Sequence, residues 1–344
     1  MSMFYNITTS VILNTMYETS ISLIEKAQKI IVIQAENPDG DSLGSSLALE
    51  EILGDMGKEV VLYCPVEIPK YMRYIAGWDR VVTEFDTKAD LAIIVDTTAD
   101  VLISKVLEAP GARHYLETHD VLVIDHHTDA EPTLSFSHEL LLEEGVSASQ
   151  VVHRLAEYAG WAINERAATA ALAALLSDTL GLTTQNVDAA AYETASKLTA
   201  LGARVADIEE ARREFMKKSA EILAYKGRLI DRIEYFLDGK LAVVHIPFDE
   251  IEAYSDQYNP SVLVLDEMRL VQGVELGVAL KTYPDGQLTG KLRGNAPIAA
   301  DVAGYFGGGG HKYAAGFRVY ESKDEVMREL IDATSKALAN SATI

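Results

Sequence analysis

The sequence predicts an α/β protein in two parts, an N-terminal parallel sheet flanked by helices and a smaller C-terminal domain built on a mixed sheet. Three observations carry that reading. Short apolar runs alternate with helix-capable segments through the first part of the chain, an alanine-rich helical stretch follows, and the texture changes again after residue 226. A length of 344 residues is also more than one compact domain usually needs.

Taken in order, residues 18–28 (ETSISLIEKAQ) carry apolar positions at helical spacing, and 30–35 (IIVIQA) read as a strand buried on both faces. A helix is expected over about 44–56, after an acidic loop. The runs KEVVLYC (58–64), LAIIVD (91–96) and VLVID (121–125) complete the parallel-sheet pattern. Residues 147–225 read as a bundle closing one side of that sheet and leading into a connector. Beyond 226, the runs LAVVHI, SVLVLDEM, VELGVALKTY and GFRVY, with turn signals at Asp238-Gly239 and Pro284-Asp285-Gly286, predict a mixed sheet closed by a helix at about 322–338. The expected domains are therefore 1–200, a connector and hinge over 201–226, and 227–344.

Composition narrows the function classes. The chain is 48% hydrophobic and 24% charged, ordinary for a globular protein, and its formal net charge of -22 argues against a general coat for duplex DNA. Between Lys281 and Arg318, however, five Lys or Arg face two Asp, a local excess of +3. The single cysteine, Cys64, excludes an internal disulfide and a cysteine-based zinc site. With no secretory signal and no apolar window approaching a membrane span, a soluble, cytoplasmic protein is expected, and the sequon at Asn6 reads as chance. An apolar face on the 147–200 helices could serve a homodimer or the core.

Loops at the carboxyl ends of parallel strands converge on one crevice, and Asp39, Asp41, Asp96, Asp125, His126 and His127 all lie at such ends. Each has a plain structural reading as well. Asp39 and Asp41 in NPDGD suit a surface turn, Asp96 a helix cap, and Asp178 in ALLSDTLGLTT a helix-terminating turn. Their recurrence at several strand ends shifts the balance toward a divalent cation held by oxygen and imidazole ligands. In VIDHHTD, one imidazole of the pair can take a metal while the other faces substrate and the aspartate orients a ring. The string YFGGGGHKYAAGF (305–317) sets consecutive glycines beside a His and a Lys, so backbone N–H groups can approach a phosphate closely, with Lys291, Arg293 and Lys312 nearby in sequence. His114, His119, His138, His153 and His245 have no ligand-like spacing.

In this order, NPDGDSLGSS, VDTTAD, the Asp125-His126-His127 triplet, SDT and GGGGHKYAAGF resemble the DHH phosphoesterase family with its associated C-terminal DHHA1 nucleotide-binding domain. Within it, the chain resembles the short two-domain oligoribonucleases that also dephosphorylate adenosine 3',5'-bisphosphate. The resemblance implies two Mn²⁺ ions, with Asp96 bridging, Asp39 on the first, and Asp41, His126 and Asp178 on the second. It also implies that His127 faces the phosphoryl group, that Asp125 holds an imidazole, and that Arg293, Gly307, Gly308, Gly309, Gly310 and His311 hold the phosphate or terminal nucleotide. A hydroxide between the metals would attack phosphorus in line, and closure of the C-terminal domain over the metals is expected. The implied substrates are short RNA oligonucleotides, linear dinucleotides or nucleotide phosphates.

Two departures stand out. The family usually has a metal-binding His three residues before the Pro of the first motif, and here that position is Ala35, with Glu36 or water as the candidate replacement. In LRGN (292–295), the family more often has Ser after the Arg. The first departure motivates an alternative, a nucleotide-binding protein whose catalytic metal site has decayed. A third reading keeps the enzyme but makes inorganic polyphosphate or pyrophosphate its substrate.

Overall fold

The computed structural model describes residues 2–128, 131–255 and 258–341, with the side chains of residues 2–12 and 311 outside that description. The chain divides into two compact units, Met1–Lys217 and Lys218–Ile344, and the division falls inside the segment expected to be the connector.

The first unit is a five-stranded, wholly parallel sheet in the order β2-β1-β3-β4-β5. Its strands are β1 (Lys29–Ile33), β2 (Glu59–Tyr63), β3 (Leu91–Val95), β4 (Asp120–Asp125) and β5 (Glu139–Leu142). They are rich in Val and Ile, which suit a pleated surface packed on both faces. Ile30, Val32, Ile93, Val95, Leu122 and Ile124 point to one core, and Ile31, Ile33, Ala92, Ile94, Val121 and Val123 to the other.

Helices α1 (Ser2–Lys26), α2 (Gly40–Asp55), α5 (Ala148–Ala159), α6 (Glu165–Asp178), α7 (Ala189–Ala200) and α8 (Val205–Phe215) pack on the first face, while the short α3 (Ser104–Glu108) and α4 (Ala112–Thr118) cover the second. Helix α2 begins four residues earlier than the apolar pattern suggested. Asp39 caps it: its Oδ1 accepts from the backbone N–H of Asp41 (3.0 Å) and Ser42 (2.9 Å), and Ser42 Oγ accepts from Asp39 N. The supposed acidic loop is thus the first turn of a helix.

The second unit opens with α9 (Ala220–Asp231) and holds a six-stranded sheet in the order β10-β11-β9-β8-β7-β6. Its strands are β6 (Glu234–Phe236), β7 (Leu241–Ile246), β8 (Leu276–Thr282), β9 (Leu288–Gly294), β10 (Gly309–His311) and β11 (Ala314–Val319). Pairing is antiparallel except between β7 and β8. Helices α12 (Ala299–Tyr305) and α13 (Lys323–Ser341) cover one face, and α9, α10 (Phe248–Tyr254) and α11 (Pro260–Arg269) the other. The run SVLVLDEM is helix α11, not a strand. Asn259 caps it, accepting from Ser261 N at 3.2 Å, and Pro260 occupies the first turn, where a missing N–H costs nothing. The segment expected to be a hinge is helical as well: Ile208 joins the first unit's core, and Ile222 and Tyr225 the second's. No helix among the described residues is long and apolar enough to cross a membrane.

Candidate metal centre

The carboxyl ends of β3 and β4, the first turn of α2 and the last residue of α6 bring their polar side chains to one point. Asp125 closes β4 and is fully buried; its Oδ1 accepts from the backbone N–H of His126 (2.7 Å) and His127 (3.2 Å) and from His127 Nδ1 (2.7 Å). That fixes the His127 ring with Nδ1 as donor and leaves its other edge half-exposed. The same bond holds the His127 pKa above the usual histidine value, because the Asp125 carboxylate favours the imidazolium.

His126 is turned the other way. Its Nδ1 lies 3.1 Å from the carbonyl of Gly145, an oxygen that can only accept, so Nδ1 carries a proton and Nε2 is the nitrogen left to take a cation. Nε2 is buried and has no hydrogen-bond partner among the described residues. It faces three carboxylate oxygens instead: Asp96 Oδ1 at 3.5 Å, Asp41 Oδ2 at 3.7 Å and Asp178 Oδ2 at 3.8 Å.

Those carboxylates are crowded; Asp41 and Asp96 are shut off from solvent, while Asp178 keeps about 34% of its side chain exposed. Asp41, in the first turn of α2, accepts from the N–H groups of Ala148 (2.5 Å) and Ser149 (3.2 Å) at the start of α5, and from Ser45 Oγ (3.1 Å). Burial and the neighbouring Asp178 nonetheless push its pKa up to about 7. Burial and then Asp41 raise Asp96 well above the carboxylate range, and burial raises Asp178. Asp96 Oδ1 is itself buried without a partner. Its backbone is in the left-handed region, φ 64°, directly after β3, a conformation that Asp tolerates better than most residues and that re-aims its side chain.

Acids that repel one another and buried orphan atoms that converge on one imidazole edge are what a cation would satisfy, and the oxygen-rich set fits a hard or borderline divalent ion. Two groupings have ligand atoms within reach of a common ion: Asp41 with His126 and Asp178, and Asp96 with Asp125, His126 and His127.

Of the residues singled out from sequence, Asp41, Asp96, Asp125, His126, His127 and Asp178 come together here. Asp39 stands just outside both groupings with Oδ1 occupied as a helix cap, though its charge contributes to raising Asp41, Asp96 and Asp178. Glu36, a candidate replacement for the missing imidazole, is engaged elsewhere: Ser104 Oγ (2.7 Å) and Lys105 N (2.8 Å) both donate to its Oε2. Sequence reasoning missed the Gly145 carbonyl and the α5 N-terminus under Asp41; the only advance signal was Ser147, whose Oγ caps α5 through Gln150 N. Arg293 lies on β9 of the second unit, Gly307 and Gly308 follow α12, and Gly309 and Gly310 form β10. Gly307 and Gly310 adopt positive φ (71° and 142°), and a Cβ on Gly310 would sit 2.5 Å from the carbonyl of Ala314. The His311 side chain lies outside the described residues.

Residues 29–177 match the DHH family, N-terminal domain. That span makes the first unit a DHH-family N-terminal domain. Among proteins similar to this chain is the bifunctional oligoribonuclease and PAP phosphatase NrnA of Thermus thermophilus, 26% identical over 85% of this chain and 87% of that one. The protein of the same name from Bacillus subtilis is 23% identical over 91% and 96%. Among solved structures, an exopolyphosphatase-related protein from Bacteroides fragilis superimposes with a TM-score of 0.81 at 21% identity, over 96% of this chain and 98% of that one. At that identity it shows the α/β fold alone.

Proposed function

We propose that this protein is a metal-dependent phosphodiesterase that trims short oligoribonucleotides or linear dinucleotides to mononucleotides and also removes a phosphate from adenosine 3',5'-bisphosphate. The observation that carries the reading is the orphan Nε2 of His126 facing Asp41, Asp96 and Asp178. The names of the two relatives support the proposed substrate class. Mn²⁺ is the proposed ion, with two per chain as the family resemblance implies, held by Asp39, Asp41, Asp96, His126 and Asp178.

A divalent ion there supplies positive charge to the phosphoryl oxygens and activates water. The protein's own residues prepare the site. Gly145 holds His126 in the tautomer that offers Nε2. The α5 N-terminus supports Asp41, whose negative charge its N–H groups favour. Asp125 fixes His127, whose exposed edge can donate a proton or hydrogen bond to a phosphoryl oxygen as charge develops there. Arg293 and the glycines at 307–310 are proposed to take the phosphate or terminal nucleotide. The alternative of a decayed, merely nucleotide-binding centre finds no support in that geometry, because every carboxylate expected around His126 is in place.

Incubating the purified protein with a 5'-labelled RNA dinucleotide and adenosine 3',5'-bisphosphate, with Mn²⁺ and with chelator, tests the proposal. Mononucleotide release that needs the ion and is lost in His126→Ala is expected. Turnover of pyrophosphate or polyphosphate alone would replace the substrate class.

A further inference from the structure

The second unit carries three cations in a row that no carboxylate pairs with among the described residues. In the register of the sheet, β9 sets Thr289, Lys291 and Arg293 on one face, and their neighbours Leu288, Gly290 and Leu292 on the other. Leu288 and Leu292 belong to the core beneath α12 and α13, so the lysine and arginine lie on the face that α9, α10 and α11 cover, where they stay partly exposed. On β8, Lys281 pairs with Thr289 and Ala279 with Lys291, which places Lys281 on the same face, diagonal to Lys291.

Successive same-face positions on a strand are about 6.8 Å apart, and a diagonal cross-strand neighbour is roughly 7–8 Å away. Arg293, Lys291 and Lys281 therefore form an evenly spaced line across two strands. On the far side of β9 the facing positions of β11 are small, Ala314 opposite Arg293 and Gly316 opposite Lys291. Opposite Thr289, β11 sets the exposed Arg318 on this face as well, so a fourth cation borders the row and no apolar side chain of that strand covers it.

The line has an energetic cost that the free protein leaves uncompensated. Among the described residues the Arg293 side chain donates only to the carbonyl of its neighbour Leu292 (3.0 Å), and Lys281 donates to Asn259 Oδ1 (2.9 Å), the α11 cap. Partial burial, followed by the adjacent cation, depresses both lysines: Lys291 is lowered by Arg293 and Lys281 by Lys291. The acid whose charge acts on Lys291 is Asp266 of α11, which lies 4.0 Å from Arg269 instead. Like charges at neighbouring positions of a sheet oppose folding, and in a chain of net charge -22 acids are plentiful. Three cations held together without one point to an anionic occupant with repeated charge.

We propose that Arg293, Lys291 and Lys281 form a shelf that takes successive phosphodiesters of one single-stranded oligonucleotide, one cation to each. The inference rests on the phosphodiesterase reading for the identity of the chain, and adds that affinity is set by substrate length, with Lys291 and Lys281 engaging only nucleotides beyond the first phosphate. Neither lysine belongs to the metal centre or to the glycine-rich string.

The test is binding of 5'-phosphorylated oligoadenylates of one, two, three and five nucleotides to the full chain in chelator, by competition against a labelled pentamer and at several salt concentrations. For a single strand the logarithm of affinity falls with that of salt by about 0.7 per neutralised phosphate. Lys281→Gln combined with Lys291→Gln should weaken pentamer binding about tenfold or more, flatten its salt slope by about 1.4, and leave the mononucleotide within about twofold. Lys291→Arg should restore most of one charge's share.

Equal loss for all lengths, or an unchanged salt slope, overturns the shelf. So does inorganic tripolyphosphate competing as well as the pentamer, since the occupant would then be a bare phosphate chain. Absence of RNA cleavage with metal, while length-dependent binding persists, would instead sink the proposed activity and leave the shelf standing.

Discussion

Asp96 combines a left-handed backbone, a buried orphan oxygen and a pKa raised by burial and by Asp41, so its charge costs stability whenever no cation is bound. Asn tolerates the left-handed region as Asp does, whereas Ala at φ 64° adds roughly 1–2 kcal/mol of strain. Asp96→Asn should therefore be more stable than the parent in chelator, by on the order of 1 kcal/mol, while losing the stabilisation that Mn²⁺ gives the parent; urea titrations with and without the ion read both signs. Asp125 makes a different prediction. Its Oδ1 is taken up by His127 and two N–H groups, so Asp125→Asn should lower kcat about 10–100-fold and leave cation affinity unchanged; a parallel fall in affinity by calorimetry would make Asp125 a ligand instead. Five polar residues of this cluster, Asp41, Asp96, Asp125, His126 and His127, were legible in the sequence because topology sends strand ends to one crevice, whereas Asp178, at the end of a helix, entered only through the family resemblance. What was not legible is how each is held. That Gly145 selects the His126 tautomer depends on a backbone carbonyl, and a carbonyl leaves no residue-type signature.

At the scale of elements, α2 and α6 must approach closely because Asp41 rides on one and Asp178 on the other. Glycine makes that possible. A Cβ on Gly44 would lie 2.6 Å from the carbonyl of Ala170 and 2.7 Å from Ala174 Cβ, and one on Gly40 would meet Ser177 Oγ at 2.1 Å. At Gly44 the atoms met are backbone and a methyl, with no flexible end to move aside, so Gly44→Ala should destabilise by about 1–3 kcal/mol and weaken cation binding by parting the two helices. Gly54, in the same helix, has nothing within 4 Å of a built Cβ, and Gly54→Ala should stabilise by about 0.4–1 kcal/mol; denaturation midpoints of the pair separate close packing from helix propensity. Apolar period gave most elements but misplaced those whose identity rests on capping. Four consecutive apolar residues in α11 read as strand, and only Asn259 and Pro260 ahead of them mark a helix start. The edge strand β5 escaped notice because ELLL is short and followed at once by two more acids.

At the scale of the molecule, the two units have separate cores and separate proposed ligands, a cation in the first and a nucleotide strand in the second. The chain's two tryptophans, Trp78 and Trp161, both pack against the core of the first unit. Tryptophan fluorescence therefore follows that unit alone, while far-UV circular dichroism follows both. A ligand that binds only a folded unit stabilises it by about 2.7 kcal/mol at a hundred times its dissociation constant. Mn²⁺ should accordingly move the fluorescence transition to higher urea and shift only part of the dichroism change. A pentanucleotide added in chelator should do the reverse, moving the dichroism component that fluorescence does not see. If Mn²⁺ moved both probes together by the same amount, the units would unfold as one, and the cation's binding energy would be shared by the domain that carries Arg293 and the glycine string. Coupling between the sites in the folded protein is a separate quantity, read from Mn²⁺ affinity with and without the pentanucleotide, and any change there must appear equally in pentanucleotide affinity, since a coupling between two sites acts equally in both directions.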